Sequence, residues 1–358
     1  MNGFSRKFAA LLMMLVLPMA LSAQEAAPEA TPEATEAAAP LPPSYLLNGF
    51  TYHAQWWNNC GPATLTMALS YFGYSDDQGR AANWLKPNSE DKNVSPWQMV
   101  EYVNTQVSDI DVYSTIRYGG TLERLKALVA NQFPVIIEAG YDPERANQGW
   151  MGHYLLVIGY DDAQGVIITH DSYAGASLAY TYEHIEEHWQ HFNYIYMPLY
   201  ASAREADLME VLGTDADPTQ NLINAFEIAR EEATADQSDP FAWFNMGSIL
   251  VELELYPDAA IAFNTARNLG LPWRMMWYQF GPYEAYYQTG DYQTILEIAT
   301  AIRNDGGGQY VEETFYYAGL AREGLGETQR AIENYNATLA FNPNFTPARE
   351  RLNALQGS

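Results

Sequence analysis

Residues 58–73 read NNCGPATLTMALSYFG, and the fold follows from how this stretch is read. Leu65, Met67, Ala68 and Tyr71 recur at helical spacing, and Gly73 is a stop signal, so a helix is expected over 61–72. Gly61 permits close approach of another chain segment. Pro62 is tolerated because first-turn N–H groups have no helical partner. Cys60 then sits at the first turn, where unpaired N–H groups and the positive helix end lower a thiol pKa from its ordinary value of about 8.5. It is the single cysteine of 358 residues. The residue is either a buried core filler or a reactive thiol, and a filler needs none of this local arrangement.

Downstream of this helix, SPWQMVEYVNTQ (95–106) carries a helix start at Ser95-Pro96, and TLERLKALVANQ (121–132) carries another after Gly119-Gly120. Strand signals then take over at 133–140, 152–161, 165–172 and 193–200, the middle pair joined by the turn-forming Asp161–Gly165. Helices first and an antiparallel sheet afterwards point to an α+β domain over 44–200.

Thiol chemistry needs a base, and six histidines are available. His153 opens the strand GHYLLVIGYD at a sheet rim, where an imidazole can face a cleft. Asp171 ends the following strand and is placed to accept the other ring proton. His170 faces the opposite side of the sheet and is the poorer candidate. His184, His188 and His191 fall at i, i+4 and i+7 of YEHIEEHWQHFN. That spacing invites a zinc reading but lacks the His-Glu-x-x-His order, so a helix face with polar edges is the ordinary explanation and no metal or other cofactor is expected. His53 lies in a stretch of uncertain structure.

From residue 205 to 358 strand signals vanish. Trp243, Met246, Gly247, Leu250, Tyr256, Ala259, Phe263, Ala266 and Pro272 match the tetratricopeptide pattern, and Phe315, Ala318, Gly319, Gly326, Ala331, Tyr335 and Pro343 repeat it. The two copies lie 72 residues apart, two 34-residue periods plus four. A weaker middle copy with Gly290, Tyr292 and Ile295 lies between them, disturbed by Pro282, with its insertion expected in NDGGGQYVEE. Residues 219–233 and 346–355 fit as flanking helices. Over 240–345 the chain resembles the tetratricopeptide family, which implies stacked helix pairs with a groove for a peptide or protein partner.

At the N-terminus, Arg6 and Lys7 precede an apolar run to about Leu21 and the small pair Ser22-Ala23, the pattern of a secretory signal peptide over 1–23; an uncleaved anchor is the alternative. Residues 24–43, rich in Ala, Glu, Pro and Thr, read as a disordered spacer. No later stretch is apolar enough to span a bilayer. The expected location is therefore extracytoplasmic: secreted, periplasmic or at the cell surface. With one cysteine the fold must stand on its apolar core, for which 48% hydrophobic content suffices. A net charge of −26 repels polyphosphate and argues against nucleic acid as a partner; it favours solubility, and also basic peptides or polyamines.

Taken together, NNCGPATLTMALSYFG, GHYLLVIGYDD and ITHDSYAG resemble the C39-like cysteine peptidases of the papain-like superfamily, over about residues 47–200. The resemblance implies a papain-like fold, with Cys60 as nucleophile, His153 as general base, Asp171 as its orienting acid and Gln55 as an oxyanion-hole donor. It implies a peptidase, or a related amide or acyl-transfer enzyme; the alternative is a papain-like binding protein without turnover. Four residues separate Gln55 from Cys60, where papain-like enzymes place five, so Asn58 or Asn59 is a candidate to help shape the hole. Trp56 and Trp57 either wall the cleft or pack under the helix. The transporter fusion of better-known members has no counterpart here.

Overall fold

A helix that is apolar on every side needs burial on every side. In the computed structural model, which describes residues 40–141 and 149–357, helix α1 (Cys60–Ser70) has nine consecutive buried residues, Gly61 to Leu69. Burying Leu65, Met67 and Leu69 contributes about 1.5–3 kcal/mol each. The expected signal segment, and the spacer up to residue 39, lie outside the described residues.

Two further helices, α2 (Gln78–Leu85) and α3 (Pro96–Gln106), follow α1. Ser95 and Gln98 close a capping box at the start of α3, which satisfies backbone donors that the first turn leaves open. Helix α4 (Leu122–Ala130) is capped by Thr121.

The sheet holds seven strands among the described residues: β1 (Ser44–Leu46), β2 (Tyr113–Ser114), β3 (Val135–Tyr141), β4 (Met151–Asp161), β5 (Val166–Asp171), β6 (Gly175–Thr181) and β7 (Tyr196–Tyr200). The order is β2-β7-β3-β4-β5-β6, with β1 on β4, and every pairing is antiparallel. Strands β3, β4, β5 and β7 coincide with the sequence signals. Strands β1, β2 and β6 and helix α2 carried none: β1 and β2 are two or three residues long, and β6 is largely exposed. In the β4–β5 hairpin Asp161 Oδ1 accepts the N–H groups of Ala163 and Gln164, and Gly165 has φ +66°. Helix α5 (Tyr182–Gln190) crosses beside β3.

After β7 the chain is helical: α6 (Glu205–Leu212), α7 (Pro218–Ala235), α8 (Pro240–Glu252), α9 (Tyr256–Leu269), α10 (Gly281–Thr289), α11 (Tyr292–Asn304), α12 (Glu312–Gly324), α13 (Thr328–Phe341) and α14 (Thr346–Gln356). Small residues set the helix spacing. A Cβ on Gly247 would come within 2.8 Å of the Phe263 ring, and one on Gly319 within 2.5 Å of Tyr335. Pro282 disturbs no helix interior: it stands in the first turn of α10, where its missing N–H costs nothing.

Residues 42–357 belong to one compact unit, and polar ties join its two parts. Tyr118 N donates to Asn221 Oδ1 at 2.9 Å and Asn221 Nδ2 returns to Tyr118 O at 2.9 Å. Asn245 Nδ2 donates to Gln190 O (2.8 Å) and Gln279 Nε2 to His191 O (2.9 Å). Among the described residues no helix is long and apolar enough to cross a membrane.

Candidate active site

The loop 54–59 that carries the chain into α1 is shaped by one buried side chain. Gln78 Oε1 accepts from Trp56 N (3.0 Å) and Asn59 Nδ2 (2.5 Å), and its Nε2 donates to Ala54 O (2.8 Å). Asn58 takes the left-handed conformation (φ 51°), and Asn59 N closes a turn on Trp56 O at 3.2 Å. The short Gln55–Cys60 connection is thus made by a tight turn, in which an asparagine tolerates a backbone that most side chains avoid. Trp56 and Trp57 are exposed on its outer side, with the Lys92 ammonium 5.2 Å from the Trp57 ring centre.

Cys60 begins α1 against β4. A Cβ on Gly61 would meet Val94 Cβ at 3.2 Å and the Tyr154 ring at 3.5 Å, and Thr64 Oγ1 donates to Tyr154 O at 3.2 Å. Leu155 is the first β4 residue paired with β5, so the backbone of Tyr154 lies just beyond the end of that pairing, and its N–H points at the thiol.

His153 and Asp171 share one sheet face. Asp171 pairs with Leu155, two residues along from His153, and His153 Nε2 lies 2.8 Å from Asp171 Oδ1. The carboxylate is saturated: Oδ1 accepts the N–H groups of Tyr173 (2.8 Å) and Ala174 (3.0 Å), and Oδ2 accepts Tyr180 Oη (2.8 Å). Burial would raise the Asp171 pKa, but His153 and these donors hold it well below the usual carboxylate range. Burial would lower the His153 pKa, but Asp171 and Cys60 bring it up to about 10.

With Nε2 engaged by Asp171, Nδ1 is the ring nitrogen left for the thiol. Burial pushes the Cys60 thiol up. Hydrogen bonding to and charge on His153, the Lys86 charge and the Tyr154 N–H outweigh burial, and the pKa falls below its ordinary value. The thiol and the imidazole are thus coupled both by hydrogen bonding and by charge. Such a pair can hold a thiolate beside an imidazolium, the form in which sulfur is nucleophilic.

Gln55 is tied to Ser172, the residue after Asp171. Its N–H donates to Ser172 O (2.8 Å) and its Oε1 accepts Ser172 Oγ (3.0 Å), which leaves the Nε2 hydrogens for another acceptor. Cys60, His153 and Asp171 thus act on one another, and Gln55 is held beside them through Ser172, the neighbour of Asp171. His170 faces away, its Nδ1 accepting from Ser177 N at 3.1 Å. His184, His188 and His191 form a column of rings running from Tyr180 to Phe241, and burial lowers the His191 pKa to about 3. Among the described residues no group of three or more His, Cys, Asp or Glu side chains is arranged to hold a metal ion.

Three contributors carried no sequence signal: Gln78, which braces the loop; Tyr180, on the strand that was not anticipated; and Lys86. Lys86 is buried and donates to Asn58 O at 2.8 Å, so a cation is fixed under the loop by a backbone carbonyl that no residue pattern announces.

Residues 47–197 match the model of the Peptidase_C39 like family. Among solved structures, a putative C39-like peptidase from Bacillus anthracis is 15% identical, the match covering 44% of this chain and 97% of that one at a TM-score of 0.36. A MamA structure, residues 41 to the end, from Desulfovibrio magneticus RS-1 is 18% identical, covering 43% of this chain and 84% of that one at 0.35. A MamA RS-1 ArsTM double mutant gives the same figures of 18%, 43%, 84% and 0.35. No curated protein matches.

Proposed function

We propose that this chain recognises a peptide or protein segment between its C39-like unit, residues 44–200, and a tetratricopeptide-like helical domain, residues 205–358, and hydrolyses a peptide bond in it through Cys60. The observation that carries the reading is the sharing of His153 between Asp171, at 2.8 Å, and the thiol whose pKa it lowers.

In this mechanism the Cys60 thiolate attacks the scissile carbonyl carbon, forming a C–S bond while the carbonyl π pair moves to oxygen. The Cys60 N–H, which has no intrahelical acceptor at the first helical position, and Gln55 Nε2 donate to that oxyanion. The C–N bond breaks as His153 gives its proton to the leaving amine. His153 then takes a proton from water, hydroxide attacks the thioester, and the carboxylate product leaves with the thiolate restored. Asp171 keeps the ring oriented throughout. An exported or cell-surface setting, with the leader removed, rests on the N-terminal sequence.

A second reading, binding without turnover, is favoured by one observation. His153 is only 5% exposed, which leaves its ring little access to a substrate. Incubation with a mixed peptide library, read by mass spectrometry, separates the two. Cleavage that falls on the order of a thousandfold or more in Cys60→Ala supports hydrolysis. Peptides bound but left intact by the wild-type chain sink it and leave the binding reading standing.

A further inference from the structure

A cavity of about 740 Å³ lies between the C39-like unit and the helices. One wall comes from Trp97, Tyr118, Glu138 and Phe192, the other from α8, α10, α12 and the start of α14. Four carboxylates line it, Glu138, Glu252, Glu284 and Glu313, and among the described residues no lysine, arginine or histidine does. Glu313 is 5% exposed, and its Oε2 has no hydrogen-bond partner. An unmatched buried acceptor of this kind is costly unless something arrives to satisfy it.

The remaining surface mixes aromatic rings with aliphatic and small polar side chains. Tyr278, Tyr316 and Tyr317 stand among the acids, with Tyr317 Oη donating to Glu284 Oε2 at 3.4 Å. Acid groups interleaved with ring faces and free of competing cations match an alkylammonium group, whose charge is met by carboxylate and ring quadrupole and whose methylene stem lies on the rings. Burial and the neighbouring Glu312 push the Glu313 carboxyl well up, and a cation seated beside it would bring it back down.

Two lining residues of the cavity, Glu138 and Tyr278, stand near the candidate site. Tyr278 packs on Gly152, where a Cβ would come within 2.8 Å of its ring, and Gly152 adjoins His153. Glu138 and Tyr278 both feel the charge of Cys60.

We propose that this cavity is a specificity pocket for a primary alkylammonium group, supplied by a lysine side chain of the peptide, with Glu313 and Glu284 as its carboxylate partners. The inference rests on the peptide-recognition reading above and names the substrate class.

The test uses the full chain carrying Cys60→Ala, so that binding is read without turnover. Fluorescein-labelled alanine-based peptides bearing one lysine, norleucine or glutamate are titrated and followed by anisotropy. The lysine peptide is expected to bind about tenfold tighter than the norleucine peptide, with the glutamate peptide weakest. Glu313→Gln, and separately the half-buried Glu284→Gln, are expected to remove most of that preference while norleucine affinity stays within about twofold. Spermidine is the second source of the same chemistry: competition at matched charge keeps the alkylammonium pocket, and tighter binding than the peptide assigns it to a free amine. Equal affinity for lysine and norleucine, no binding of any peptide or of spermidine, or a preference untouched by both variants overturns the proposal. Lysine-selective binding with no cleavage by the wild-type chain removes hydrolysis alone; cleavage indifferent to lysine removes the pocket alone.

Discussion

At the scale of single residues, the charges around Cys60 make a pH signature. The thiol pKa is lowered and that of His153 raised to about 10, so the window in which thiolate and imidazolium coexist opens below the ordinary thiol midpoint and closes near 10. Alkylation by iodoacetamide is therefore expected to persist below the ordinary thiol midpoint of about 8.5 and to be lost only as pH falls through the lowered value. His153→Ala removes the largest stabiliser of the thiolate and moves the midpoint up; an unchanged midpoint contradicts the pairing. Stability has its own window. The raised His153 pKa contributes fully below its unfolded value of about 6.5 and is lost as pH climbs toward 10. The depressed Asp171 pKa contributes above its unfolded value of about 3.9 and is lost as pH falls. The pair is thus at full strength between about pH 4 and 6.5. Melting temperatures of wild type and His153→Gln, compared from pH 6 to 10, should converge as pH rises.

At the scale of elements, loop 54–59 depends on a neighbour rather than on its own sequence. Gln78 of α2 supplies three hydrogen bonds to that loop. Gln78→Leu is expected to destabilise the chain by about 1–3 kcal/mol, because it strands buried partners, and to slow alkylation of Cys60 at fixed pH. Denaturant melts and labelling rates measure the two effects separately. In the helical part Gly247 and Gly319 allow rings to lie on a helix backbone. Gly319→Ala is expected to cost about 1–3 kcal/mol through overpacking on Tyr335, read as a fall in the denaturation midpoint, whereas Gly326→Ala has open space and meets only the strain of φ +74°.

At the scale of the whole molecule, the helical layer covers apolar surface of the sheet domain. Trp150 stacks on Phe192, Tyr278 meets both rings edge-on across the junction, and the reciprocal Tyr118–Asn221 pair fixes it. Asn221→Ala leaves a buried amide and carbonyl unmatched, and a loss of about 1–3 kcal/mol is expected in thermal melts, with no change in helix content by circular dichroism. A good part of this protein was legible one residue at a time. Periodicity placed α1, α3, α4 and four strands, because long apolar patterns are local properties of the chain. The spacing of GHYLLVIGYD and ITHDS set His153 and Asp171 on neighbouring strands, because alternation fixes which face a side chain takes. Short or exposed β1, β2 and β6 left no pattern, since pairing geometry rather than burial holds them. Gln78, Lys86 and Tyr180 reach the site from separate elements, through contacts between residues distant in the chain. The same holds for the cavity whose four carboxylates come from residue 138 and from residues 252 to 313. The sequence by itself determined which thiol is placed at a helix start and which imidazole at a strand end. Only the tertiary structure decided what surrounds them, because the field at the sulfur is the sum over groups that folding, and not chain order, brings within reach.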